Sequence, residues 1–199
     1  MPNRAIRQIR SIPAEFRVEA RDDKKYIEGY FSTFSGIYTL WEGATESVDP
    51  HAFDEAISDD VRALIDHDTR LVLGRTKAGT LTLRIDSRGL WGSIEVNEQD
   101  SDAMNLYSRI QRGDVDQCSF GFDILSEETD FNEDTGDVHW TIKKVKLYEV
   151  SCVTFPAYED TSISARERDY KELRKRRFAA FKAKVEAKLR HGAETTGTH

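Results

Sequence analysis

No run of residues is long and apolar enough to cross a bilayer as a helix, which takes about 20 consecutive apolar positions. The N-terminus carries Arg4, Arg7 and Arg10 with no apolar stretch behind Met1, so no secretory signal is expected. Cysteine occurs only at Cys118 and Cys152, too few for a disulfide framework and without metal-ligand spacing. His51, His67 and His139 stand alone, and none has the i, i+4 partner of a helical zinc site. Nucleophile elbows of the G-x-S-x-G type, G-x-G-x-x-G turns, P-loops and C-x-x-C pairs are all missing. The cysteine usage fits a reducing, cytoplasmic setting best.

What is present is a chain of 199 residues, room for one domain with a real core plus a tail. Hydrophobic residues make up 38% and charged residues 33%, as in a polar globular protein. The net charge of −7 hides an asymmetry. Residues 1–165 hold 18 Lys and Arg against 31 Asp and Glu, whereas residues 166–190 hold 11 against 4. An acidic body argues against nucleic acid as the main ligand, and an RNA-binding reading rests on the basic segment alone. The boundary predicts a body over 1–165 and a separate tail over 166–199.

Periodicity organises the body. Residues 1–24 are charged and show little pattern, while YIEGYFSTF at 26–34 reads as a strand. Asp49-Pro50 is a good helix start, and Phe53, Ala56 and Ile57 give a short helix one apolar stripe ending near Ser58. A strand follows over 61–66, with Val61, Ala63 and Ile65 on one face and His67 next on that same face. Residues 80–85 and 90–96 flank a hairpin turn at Ser87-Arg88-Gly89. A helix capped by Asp100 or Ser101 places Ala103, Leu106, Tyr107 and Ile110 at i, i+3, i+4 and i+7 before Gly113. Long strand-like runs cover 115–125 and 138–155, separated by an acidic loop over 127–136. Residues 165–190 are helix formers with sparse apolar anchors, a basic amphipathic helix followed by a disordered end over 191–199. The pattern predicts an α+β domain, mostly antiparallel and barrel-like, with a few packed helices.

Three residues stand out chemically. His67, between Asp66 and Asp68 at a strand end, can be a general base or a half-buried structural histidine. Ser119 lies in Cys118-Ser119-Phe120-Gly121-Phe122, where alternation puts the aromatics on one face and presents the hydroxyl on the other. Gly121, two residues on, leaves room there for a substrate backbone. Glu149 shares a face with Val145 and Leu147 by alternation, and an acid among aliphatic residues needs a partner. That partner is a histidine that it orients or an ordinary cation; Ser151 is its neighbour on the same face.

At these residues the sequence resembles the phage prohead proteases of the HK97 type, relatives in fold of the herpesvirus assemblins. The matching pieces run in order over 24–163. They are YIEGYFSTF, the D-P-x-x-F stretch ending at Phe53, L-I-D-H-D at 64–68, L-G-R at 73–75 and the D-x-x-G-L turn at 86–90. The helix leading into C-S-F-G-F at 118–122 follows, and LYEVSCVTFPAY at 147–158 is the most specific piece. The resemblance implies a herpesvirus-protease-like fold and a serine endopeptidase with Ser119 as nucleophile, His67 as base and Glu149 as third member, needing no metal or cofactor. The herpesvirus relatives use a second histidine there, for which this chain offers His139. Arg75, after Gly74, and a loop N–H are the options for the oxyanion.

The implied substrates are the scaffold and major capsid protein of a prohead, and the enzyme itself, inside an assembling shell in the host cytoplasm. A homo-oligomer is compatible with this. The tail becomes an addressing segment with a self-cleavage junction near 162–167. The competing reading is a non-catalytic capsid-assembly or scaffold protein of the same fold.

Overall fold

The structure, a computed structural model, describes residues 7–13, 15–155 and 160–195. They fall into two units, one ending at Ser162 and the other beginning at Ile163.

The first unit is α+β and built mainly from strands. One sheet runs in the order β1 (Gln8–Pro13), β10 (Gln117–Phe131), β11 (Val138–Val153), β5 (Ala44–Val48), β4 (Ile37–Trp41). The far edge of β11 is shared: residues 138–142 pair with β5, and residues 149–152 pair with β6 (Arg62–Ile65), both in parallel. β7 (Asp68–Arg75) then folds back antiparallel on β6. The second sheet is antiparallel, in the order β2 (Arg17–Arg21), β3 (Lys24–Thr33), β9 (Gly89–Val96), β8 (Leu81–Ile85). A shared apolar core joins the two, with Ile27, Phe31 and Ile94 from one and Phe120, Phe122 and Val150 from the other. Among the described residues neither sheet closes on itself, so a two-sheet arrangement replaces the expected barrel. The pairing is mostly antiparallel, as expected, with the two parallel exceptions both on β11.

The helix α1 (Ser101–Arg112) forms as its sequence predicts. Asp100 caps it by accepting from the backbone N–H groups of Asp102 and Ala103, at 2.9 and 3.3 Å. Gly113 ends it at φ +84°, a left-handed conformation that costs glycine little. The helix expected over 50–58 is instead a series of turns with one 3-10 turn at Ala56–Ser58. Asp49 does accept from the N–H of His51, but the carbonyl of Ala52 goes to the N–H of Val145 on β11. Sheet pairing takes a backbone group that an α-helix would need for itself.

The charged N-terminal region, read as patternless, supplies β1 and β2. Burial of Arg10 is possible because its guanidinium bonds both oxygens of buried Glu46, at 2.5 and 3.1 Å. The acidic segment after Leu125 extends β10 to Phe131, and only the turn after it is loop.

The described part of the second unit belongs to α2 (Asp160–Thr195), a 36-residue helix whose first three residues precede the boundary. It begins before and ends after the expected 165–190, so residues 191–195 are helical, and 196–199 lie outside the described residues. Pairs such as Glu172 with Arg176 at i, i+4 support it, while Phe178 and Phe181 are exposed.

Candidate active site

Strand alternation puts Cys118, Phe120 and Phe122 of β10 into the core and leaves Ser119 and Gly121 on the opposite face, as expected. On β11 the alternation breaks. Gly121 faces Glu149, but Phe122 faces Leu147, so Tyr148 is an extra residue and β11 bulges there. The core takes Val145 and Leu147 before the bulge, then Val150 and Cys152 after it. Glu149 therefore lies on the face opposite Leu147, with Ser151, Ser119 and Gly121. The expected shared face for Val145, Leu147 and Glu149 is corrected by one inserted residue.

His67 reaches the same face by a different device. β6 and β7 are joined by a two-residue turn, Asp66-His67, with φ of +47° and +60°. Two left-handed residues in succession match the twist of a hairpin, although glycine or asparagine is the usual occupant. A non-glycine residue there costs about 1–2 kcal/mol. By alternation His67 would follow Ala63 and Ile65 into the core. The turn swings its imidazole to β11 instead, where Nδ1 bonds Glu149 Oε1 at 2.7 Å.

Both oxygens of Glu149 are used. Oε1 takes the imidazole N–H, and Oε2 accepts from the Ser151 hydroxyl at 2.6 Å. Its side chain is 3% exposed, that of His67 18%. A carboxylate so far from water is tolerable because it is bonded on both sides. With Nδ1–H donated to Glu149, the imidazole presents Nε2 as its basic lone pair. Nε2 is buried and has no hydrogen-bond partner among the described residues.

Ser119 sits directly across the ladder from Ser151, next to this group. It is 0% exposed, and its hydroxyl donates to the Arg10 carbonyl on β1 at 2.9 Å. The hydroxyl is therefore on the expected face but covered and turned to β1, with no bond to His67. The space attributed to a substrate backbone above Gly121 is occupied too. A Cβ built on Gly121 would lie 2.3 Å from Glu149 Oε1, so only glycine lets that carboxylate sit where His67 meets it. Gly121→Ala should displace Glu149 and cost about 1–3 kcal/mol of stability. An unchanged melting temperature in that variant would show that Gly121 does not seat the carboxylate.

The other candidates lie elsewhere. His139 is at the β5 end of β11, about 33 Å along the strand from Glu149. Both its ring nitrogens are engaged, with Thr45 Oγ1 and Ser47 Oγ at 2.8 Å each. Arg75 is at the end of β7 remote from His67 and is ion-paired with Asp60, whose carboxyl it holds down at about 2. Cys118 and Cys152 face each other across the ladder as free thiols, and burial pushes both up, so they are inert. No cluster of metal-ligating side chains occurs among the described residues. Sequence reasoning missed the contribution of β1, for which residues 8–13 (QIRSIP) carry only a weak alternating signal.

Comparison with known proteins identifies relatives of the chain. The sequence is 32% identical to the prohead protease of Escherichia phage T5 over 126 residues, covering 61% of this chain and 55% of that one. It is 25% identical to the prohead protease of Enterobacteria phage HK97 over 142 residues, covering 69% and 60%. The chain thus spans a little over half the length of these relatives. The fold is similar to that of the bacteriophage T4 capsid assembly protease, with a TM-score of 0.51 and 13% identity, over 75% of this chain and 98% of that one. A family model described as caudovirus prohead serine protease matches residues 14–176, most of the chain, and the protein belongs to that family.

Proposed function

We propose that this protein is a serine endopeptidase that cleaves scaffold and capsid proteins during prohead maturation. Ser119 is the nucleophile, His67 the general base and Glu149 the residue that orients it. The observation that carries the reading is His67, held through Nδ1 by a buried carboxylate with Nε2 left free, beside Ser119 on one sheet face. In the reaction the Ser119 hydroxyl leaves the Arg10 carbonyl and turns to Nε2, which takes its proton as Oγ bonds the scissile carbonyl carbon. Glu149 stabilises the imidazolium that forms. The imidazolium then gives its proton to the leaving amine, and water, activated the same way, releases the acyl group.

The fold is proposed to be akin to that of the herpesvirus assemblins. The site of action is the interior of an assembling prohead in the host cytoplasm, and the enzyme is a further substrate of itself, with homo-oligomers compatible with that role. The junction at 162–167 falls within α2, so self-cleavage there requires local unwinding. Co-expression with the scaffold and major capsid protein of its phage tests the reading. New N-termini are expected in those proteins with the wild-type chain, and their absence would overturn it. A new N-terminus within 162–167 in the same map would identify self-cleavage; an uncut chain would remove that part.

Residues 166–199 are proposed as the segment that addresses the enzyme to its assembly partner. The basis is the charge reversal after Ala165 and the exposed Phe178 and Phe181 on α2. Replacing Arg174, Lys175, Arg176 and Arg177 by glutamine should leave cleavage of a supplied peptide intact while the enzyme no longer co-sediments with proheads. Normal co-sedimentation would remove the addressing role.

A further inference from the structure

Asp66 is one of two acids flanking His67, and the two are used differently. Asp68, its side chain 27% exposed, pairs with Arg70 on its own strand. Asp66 turns the other way, to the end of β11. Its N–H donates to the Cys152 carbonyl at 3.0 Å. Its carboxylate accepts from the Thr154 N–H at 2.8 Å and from the Thr154 hydroxyl at 3.3 Å. β11 and the residue that follows it therefore grip the Asp66-His67 turn at three levels: Glu149 on the imidazole, Cys152 on the Asp66 backbone, and Thr154, just past the strand, on the Asp66 side chain.

We infer that Asp66 is a positioning residue for catalysis, a clasp whose carboxylate fixes the left-handed turn against β11 so that Nδ1 of His67 meets Glu149. The inference rests on the proposed roles of His67 and Glu149. Its physical basis is that, among the described residues, the only other side-chain bond from the turn to this strand is the His67–Glu149 contact that the clasp aligns. Within the β6–β7 hairpin itself the ladder ends at the pairing of Ile65 with Asp68, and register shifts occur on both sides of Leu64. Such a ladder leaves the tip free to pivot, and displacement of a catalytic group by about 1 Å can cost 100-fold in rate. The backbone strain at Asp66 and His67 adds to the need, because strained turns persist only where surroundings over-determine them.

Three variants of the full chain separate a clasp from a merely tolerated acid. Asp66→Gly accepts the left-handed backbone freely but has no clasp, Asp66→Ala lacks both, and Asp66→Asn keeps an oxygen for Thr154 and tolerates positive φ. Expected for glycine is a tenfold or greater fall in kcat with KM within twofold. The imidazole Nδ1–H resonance of His67 in nitrogen-15 NMR should weaken, and the Thr154 amide should exchange faster with solvent. Alanine should behave likewise, which guards against a peculiarity of the glycine chain, and asparagine should restore all three readouts. Wild-type kcat and an intact Nδ1–H resonance in both the glycine and alanine variants would overturn the inference. So would an asparagine variant as impaired as glycine, since charge rather than the clasp would then be at work. The NMR and exchange readouts do not depend on cleavage. If Ser119→Ala proved active, the triad reading would fail while the clasp was still decided by them.

Discussion

Ser119→Ala should abolish processing and leave the fold in place. A nucleophile in a triad acts as part of a unit, and its loss can lower turnover on the order of a million-fold. The structural cost is small by comparison. The variant loses one hydrogen bond, from Ser119 to the Arg10 carbonyl, worth about 1 kcal/mol. The contrast with Ser151 sharpens the expectation, because these two serines are directly opposed on the same face. Ser151 donates to Glu149 and never approaches the scissile bond in this scheme, so Ser151→Ala should lose far less activity than Ser119→Ala. Gel analysis of co-expressed scaffold, with thermal melting of each purified variant, measures both quantities. An active Ser119→Ala chain, or a Ser151→Ala chain as dead as Ser119→Ala, would displace the nucleophile assignment.

The second large effect is expected at Glu149. Glutamine is its isostere and can still face Ser151, but it carries no charge to stabilise an imidazolium and can present an N–H where the carboxylate presented an acceptor. A loss of roughly 10,000-fold in kcat is the order seen when the acid that orients a catalytic histidine is so replaced. Substrate binding should change little, since Glu149 is buried behind His67. Stability should also hold, because a neutral side chain there avoids burying a charge. A Glu149→Gln chain with near-normal turnover would sink the assigned role. Loss of activity in His139→Ala with Glu149→Gln unaffected would transfer that role, against a structure in which His139 is bonded to Thr45 and Ser47.

How much of this was legible in the sequence depended on whether a local rule survived the tertiary context. The α1 helix did, because its cap, apolar spacing and terminal glycine all agree. The face of Ser119 did, because β10 alternates without interruption from Cys118 to Gly121. The face of Glu149 did not. The inserted Tyr148 shifts the phase of β11, and a bulge leaves no mark in a run of strand-forming residues. His67 was placed on the wrong face for a related reason: Asp-His lacks the asparagine-glycine signature of a tight hairpin, so the turn was invisible. The short helix after Asp49 failed because β11 claimed its backbone. β1 was missed because its charged residues suggest solvent, and only the pairing of Arg10 with Glu46 explains how it is buried. Family resemblance assigned the same three residues that local pattern had singled out, but their meeting on one face depends on the bulge and the turn.

The central claim is that Ser119 is the nucleophile made reactive by His67, and a fluorophosphonate reads this directly. Attack by Oγ forms a serine–phosphorus bond and expels fluoride, with the proton passing to Nε2 of His67. Mass-spectrometric peptide mapping of the treated full-length protein should find a single covalent adduct on Ser119, absent from the His67→Ala and Glu149→Ala chains. An adduct on Ser151 or another serine, or cleavage-competent protein that acquires no adduct on Ser119, would contradict it.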